Sequence, residues 1–314
     1  MKQGAKARRY AITPTTSLSM STTVKGFLNA SISGITFGLI PLFAIPVLAT
    51  GMHSTSVLIY RYAFGCLGML GMLMFHRTRM RLAFGDFLRI LLLSSMYAVS
   101  SIALIEGYNY MASGIATTLL FSYPVWTLLL SVLFLHERLS LTTAVAIGIA
   151  VAGVFFLSGI LDGHGSMEGL TGLFLLLLSG FLYAVYMVIF PRMRIRQMPS
   201  LKLTFYIFFF AMLILTLYAT FTRGRIDPID TRSQLVNLFL LGVVPTAVSN
   251  VTLIMALKQI SSTMAAVLGA FEPMTAMCVG ILLFGEPLTL PIVIGFVLII
   301  TSVLILVLSK RKTG

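Results

Sequence analysis

Charge is what this sequence has least of: 22 lysines and arginines and 9 acids make up only 10% of its 314 residues. A soluble domain carries roughly a quarter charged residues, so a soluble fold is excluded. Acid is the scarcer sign, and none occurs before Asp86. Cysteine occurs twice, at Cys66 and Cys278, each inside an apolar run. That excludes a disulfide framework or cysteine metal site and leaves both as packing residues. The four histidines (His53, His76, His136 and His164) fall in loops or at run ends and never pair. A membrane-embedded enzyme would want a constellation such as HExxH at depth, so an enzyme is not expected. There is no GxxxxGKS/T loop for ATP. Nothing calls for a cofactor or a metal.

What is present is apolar length. Hydrophobic residues make up 58% of the chain, and mean hydropathy is +1.00. Spanning a bilayer takes about 20 apolar residues, and ten such runs can be drawn: 25–49, 54–76, 86–106, 111–135, 141–160, 169–190, 201–221, 234–256, 262–284 and 290–309. The expected fold is an all-α integral membrane protein with ten transmembrane helices. The net charge of +13 sits in the gaps between runs. It is therefore a topology signal rather than a phosphate-binding face, and the partner is lipid bilayer, not nucleic acid.

Residues 1–24 hold Lys2, Lys6, Arg8, Arg9, many Ser and Thr, and no acid. This composition overlaps with that of an organellar transit peptide. It is read here as a disordered cytoplasmic tail or an upstream start before Met20. With the N-terminus in the cytoplasm, eighteen of the 22 lysines and arginines fall on the cytoplasmic side. Three, Arg223, Arg225 and Arg232, fall opposite, diluted by Asp227 and Asp230. Arg61 is left within a run. This imbalance places both termini inside.

The chain also resembles itself. FEPMTAMCVGILLFGEPLT (271–289) answers SYPVWTLLLSVLFLHERLS (122–140) at an offset of 149, which aligns Pro273 with Pro124 and Glu286 with Glu137. Earlier, Gly26, Ser33, Gly34 and Tyr60 align with Gly172, Ser179, Gly180 and Tyr206 at 146. Each unit, 25–160 and 161–309, then holds five runs, followed by a short tail at 310–314. Five is odd, so the second unit enters the membrane from the opposite side. Such inverted repeats belong to secondary transporters, whose halves rock around a midplane site.

The stretch ATTLLFSYPVWTLLLSVLFLHERLS (116–140) and its echo AAVLGAFEPMTAMCVGILLFGEPLT (265–289) resemble the paired signature of the drug/metabolite transporter superfamily, EamA-type ten-helix exporters. The likeness spans 25–309. It implies a central cavity bounded by runs one, three, four, six, eight and nine, and export of small metabolites or drugs, amino acids among them. It also implies an inner (plasma) membrane location in a bacterium.

Polar residues form stripes on the same runs. Asn29, Ser33 and Thr36 share one face, as do Ser94, Tyr97 and Ser101; so do Ser179, Tyr183 and Tyr186, and Thr246, Ser249 and Asn250. Ser122, Tyr123 and Trp126, the sole tryptophan, add to run four. Such faces avoid lipid and turn inward, so Asn29, Ser33, Tyr97, Tyr123, Trp126, Tyr183, Tyr186 and Asn250 are expected to line a polar-aromatic substrate pocket. Serine and threonine also serve as packing glue, worth about 0.6 kcal/mol each.

Glu272 is the sharpest candidate. A carboxylate inside a span costs roughly 2.5–3.5 kcal/mol, so it must be paired, protonated or hydrated. It fits a proton carrier, a counter-ion to a substrate amine, a partner of Arg61, or a structural hydrogen bond. Pro273 and Pro124 are expected to kink their helices. Arg61, about seven residues into its run, is expected to snorkel outward or to tie helices together, a structural role preferred over substrate contact. Glu137 and Glu286 are expected to cap the helices that follow them, and Glu106 with Asn109 to contribute to an outer gate. Small-residue faces at Gly65, Gly68 and Gly71, and at Ala144, Gly148 and Ala152, suit either a homodimer or packing within a monomer.

The expected function is a secondary active exporter, proton- or gradient-coupled, of a small molecule. A channel or receptor would want a continuous polar pore lining. The alternative transporter is an exchanger of phosphorylated or nucleotide-linked metabolites, which would need several cations in the cavity.

Overall fold

The computed structural model describes residues 21–135, 141–157 and 167–311. Among them there is no strand, and eight helical stretches are long and apolar enough to cross a membrane. Thr22–Leu48 comprises α1 (Thr22–Phe37) and α2 (Ile40–Leu48). Then come α3 (Ser54–Phe75), α4 (Phe84–Gly107), and a broken span of α5 (Ser113–Leu120) and α6 (Tyr123–Leu135). α7 (Leu141–Leu157) is shorter, and α8 (Met167–Ile189) and α9 (Ser200–Arg223) follow. α10 (Arg232–Gly242) runs through a π-helical stretch, Val243–Val248, into α11 (Ser249–Gln259). The last span pairs α12 (Ser262–Leu268) with α13 (Phe271–Phe284), and α14 is Leu290–Arg311.

Local chemistry sets the ends. Thr231 and Gln234 form a capping box at α10. Gly224 and Gly285 end α9 and α13 in the left-handed region, at φ 69° and 63°, which an L side chain resists. Breaks fall where expected: α5 stops at Leu120, four residues before Pro124, and α12 stops before Pro273, at Gly269–Ala270. Pro245 lies in the π stretch, where it denies the ladder one N–H.

The surface is greasy and the interior holds the ions. Phe75, Phe221 and Leu282 are 85%, 86% and 78% exposed, while Arg61 and Glu272 are 0% and 2%. That inversion suits a molecule whose solvent is lipid.

The helices interleave. α4 packs on α8, α1 on α11, α3 on α9, and α7 on α14, so each of these pairings joins an early helix to a late one. Hydrogen bonds come in matched sets. Ser249 donates to the Ser33 carbonyl at 3.0 Å, and Ser100 donates to that of Ser179 at 2.9 Å. Tyr60 donates to the Asp227 carbonyl and Tyr206 to that of Met80. Gly65 packs on Gly242 within the chain, and Cys278 is exposed rather than packed.

Candidate functional site

The helix breaks bring the central residues together. Tyr123 starts α6 and Glu272 lies in the first turn of α13, and the tyrosine hydroxyl donates to Glu272 Oε2 at 3.3 Å. These two residues are 149 positions apart, the offset that aligns the two halves. Glu272 Oε1 is buried without a hydrogen-bond partner. Two close approaches hold the pair. The α1–α2 turn lies so near α13 that a Cβ on Gly38 would be 2.4 Å from the Glu272 carbonyl oxygen. A Cβ on Gly269 would lie 1.7 Å from the Tyr123 hydroxyl.

Aromatic rings floor the site. Tyr183 meets Tyr123 edge-on at 5.0 Å, stacks on Phe37 at 5.9 Å and lies parallel to Tyr186 at 6.2 Å. Tyr97 lies against Tyr183, Tyr186, Tyr62 and Phe208. Four of the predicted tyrosines, Tyr97, Tyr123, Tyr183 and Tyr186, thus form one cluster with Glu272. Tyr62, Phe37 and Phe208 join them with no signal in the sequence, because an aromatic in an apolar run looks the same facing lipid or core.

Arg61 lies at the far side of this floor. It neither snorkels nor pairs with Glu272; its Nε donates to Thr246 Oγ1 at 2.6 Å. Its guanidinium carbon lies 5.8 Å from the ring centres of both Phe37 and Tyr62. Nη1 and Nη2 have no partner. Thr246 reaches Arg61 from the π stretch, and its own hydroxyl donates to the Leu241 carbonyl five residues back.

Other candidates lie apart. Asn29 donates to Gln259 at 3.0 Å, and Ser33 bonds Ser249. Asn250 does not lie apart: it donates to the Thr246 carbonyl and its side chain stands beside the Tyr97 hydroxyl, at the edge of the cluster. Trp126 leaves the tyrosine cluster and meets Phe181 edge-on at 5.5 Å. Glu106 accepts from Asn109 within one turn. Glu137 lies outside the described residues. Glu286 does not cap α14, the helix that follows it. It accepts from the backbone N–H groups of Ser113 (2.7 Å) and Gly114 (3.0 Å), so it caps α5 of the other half. The reason is that α13 packs against α5, which carries its C-terminal carboxylate to the bare amides there.

Among the cavities that lie away from the central cluster, two are related by the repeat. One, of about 520 Å³, is lined by Tyr108, Asn109 and Glu286 among others, and the second, of about 380 Å³, by Arg192, Arg196 and Lys258 among others. Their linings correspond through the repeat: Asn109 and Ser113 in one match Lys258 and Ser262 in the other. Among the described residues no cluster of His, Cys, Asp or Glu could hold a metal.

Apolar spans around a closed polar-aromatic centre define a polytopic membrane transporter. Residues 24–159 and 170–308 each match the EamA-like transporter family. The chain belongs to that family. It is 30% identical to an uncharacterized transporter of Archaeoglobus fulgidus over 279 residues, covering 87% of this chain and 93% of that one. It is 26% identical to an uncharacterized transporter of Clostridium kluyveri over 235 residues, 73% of this chain and 75% of that one. One crystal structure superposes with a TM-score of 0.70 at 13% identity, covering 93% of this chain and 98% of that one; this likeness is of fold alone.

Proposed function

We propose that this transporter is a proton-coupled secondary exporter of a small metabolite or drug, working by alternating access around Glu272. The carrying observation is the Tyr123–Glu272 hydrogen bond, made between repeat-equivalent positions at helix breaks. A carboxylate with one oxygen on a phenol and the other unpartnered is suited to exchanging a proton or meeting an amine. Broken helices whose ends face a midplane site are the recurrent device of such transporters.

In this reading ten helices cross the membrane, α7 and α14 completing the count, as two inverted five-helix units at 25–160 and 161–309. The tails 1–24 and 310–314 lie in the cytoplasm, and the membrane is a bacterial inner membrane. The matched serine and tyrosine hydrogen bonds support the inversion, since the repeat relates Ser33–Ser249 to Ser179–Ser100 and Tyr60–Asp227 to Tyr206–Met80. The two repeat-related cavities then open on opposite faces, as alternating access needs. Substrate contacts fall to Glu272, Tyr97, Tyr123, Tyr183, Tyr186 and Asn250. Pro124, Pro273, Glu106, Glu137 and Glu286 act in gating.

The cations Arg192, Arg196 and Lys258 around one cavity favour a second reading, an exchanger of phosphorylated or nucleotide-linked metabolites. Both are tested by substrate-dependent proton movement in proteoliposomes, over amino acids, organic cations and sugar phosphates. Wild type is expected to couple amino-acid or cation flux to protons, and Glu272→Gln to lose that coupling. Normal coupling in Glu272→Gln makes Glu272 structural. Flux with phosphorylated solutes alone promotes the second reading.

A further inference from the structure

A guanidinium carries five N–H donors. In Arg61, which is wholly buried, one donor is used on Thr246, and the four on Nη1 and Nη2 meet no acceptor. Among the described residues no carboxylate forms an ion pair with it; the ion pairs found are Arg89–Asp86 and Arg225–Asp227. The flanking Phe37 and Tyr62 rings offset only part of the cost of burying the ion. A cation kept only to tie helices would have its fork filled by carbonyls. Lys202 is such a case, at 8% exposure with its Nζ on the Arg81 carbonyl.

We infer that Arg61 binds substrate, its Nη1–Nη2 edge taking the two oxygens of a single carboxylate. This rests on the transport reading above and adds to it the substrate's chemical class. A planar fork with two parallel donors is the geometry that recognises a carboxylate bidentately. The Thr246 hydrogen bond and the two rings fix its orientation. Phosphate offers similar oxygens, but a phosphate monoester brings close to two charges and Arg61 supplies one. From Arg61 the aromatic floor runs through Phe37, Tyr183 and Tyr123 to Glu272. A carboxylate at one end thus leaves Glu272 at the other for an amine or a proton.

The test uses the purified full-length protein in detergent and follows thermal unfolding in sodium acetate, sodium chloride or inorganic phosphate at matched ionic strength. Acetate is expected to raise the wild-type midpoint by about 3 °C at saturation, and chloride and phosphate to leave it unchanged. Arg61→Met removes the fork but keeps the volume, and apolar replacement of a buried ion is often neutral or stabilising. Its midpoint in chloride should therefore equal or exceed that of wild type, with the acetate response gone. Should that variant fail to fold, Arg61→Lys, which keeps the charge without the fork, is expected to weaken acetate binding about fivefold or more. The inference is overturned by a wild type indifferent to acetate, by an undiminished response in both variants, or by a fall of several degrees in the Arg61→Met midpoint in chloride. A response to phosphate in place of acetate overturns the carboxylate assignment. No gradient is present, so an acetate response without proteoliposome flux sinks the transport reading alone, and coupled flux without an acetate response sinks this inference alone.

Discussion

Gly269 sets how closely the central pair can meet. Its φ is not in the left-handed region, so alanine fits the backbone there, yet the new methyl would occupy the place of the Tyr123 hydroxyl. Gly269→Ala is expected to displace that hydroxyl and leave Glu272 without its hydrogen bond, as Tyr123→Phe does directly. Both variants should lower proton-coupled flux by about tenfold, the effect of losing one hydrogen bond to a charged group, while keeping their fold. Proteoliposome flux with thermal unfolding as a control measures this, and unchanged flux in both would detach Tyr123 from the mechanism. At this scale the sequence was a partial guide. Glu272 and the four tyrosines could be picked out because an acid or a phenol on a polar stripe is conspicuous in an apolar chain. Trp126 was equally conspicuous and joins a different contact, on Phe181. Stripe membership gives a helix face to within a turn, and packing against α8 decides what that face meets.

Among the elements, the breaks carry most of the consequence. Pro124 and Pro273 marked two of them in advance, and the structure adds the α1–α2 break at Gly38 and the π stretch around Pro245. The π stretch positions Thr246 for Arg61. Glu286 is the clearest interaction between elements, a carboxylate from the end of α13 seated on the first amides of α5. Glu286→Ala is expected to cost about 1–2 kcal/mol, the usual loss on removing a helix cap, and to lower the unfolding midpoint by roughly 2–4 °C. Glu286→Gln retains an acceptor and should recover part of it. If neither variant moves the midpoint, the contact is not a working cap.

For the whole molecule, the prediction concerns sidedness. In a cysteine-free background, Arg225→Cys is expected to react with an impermeant thiol reagent added to intact cells. Arg194→Cys should react only after permeabilisation. Arg225 is well exposed, so access reports topology and not burial. Reaction of Arg194→Cys in intact cells would reverse the assigned orientation and with it the outward direction of transport.

Membrane residence, the doubled unit and the family were legible in the sequence because each follows from order along the chain. Apolar run length answers to bilayer thickness, and duplication to a constant offset. Contacts between the halves were decided only in three dimensions. Nothing in the order of residues announces that Tyr123 meets its own repeat counterpart Glu272, that Glu286 caps α5, or that Arg61 lies buried under Phe37 and Tyr62. The physical reason is that a helix fixes only which residues share its face. The interleaving of α1 with α11, α4 with α8 and α3 with α9 selects the partner for each face, and in a bilayer that choice is made by close packing and polar satisfaction rather than by hydrophobicity.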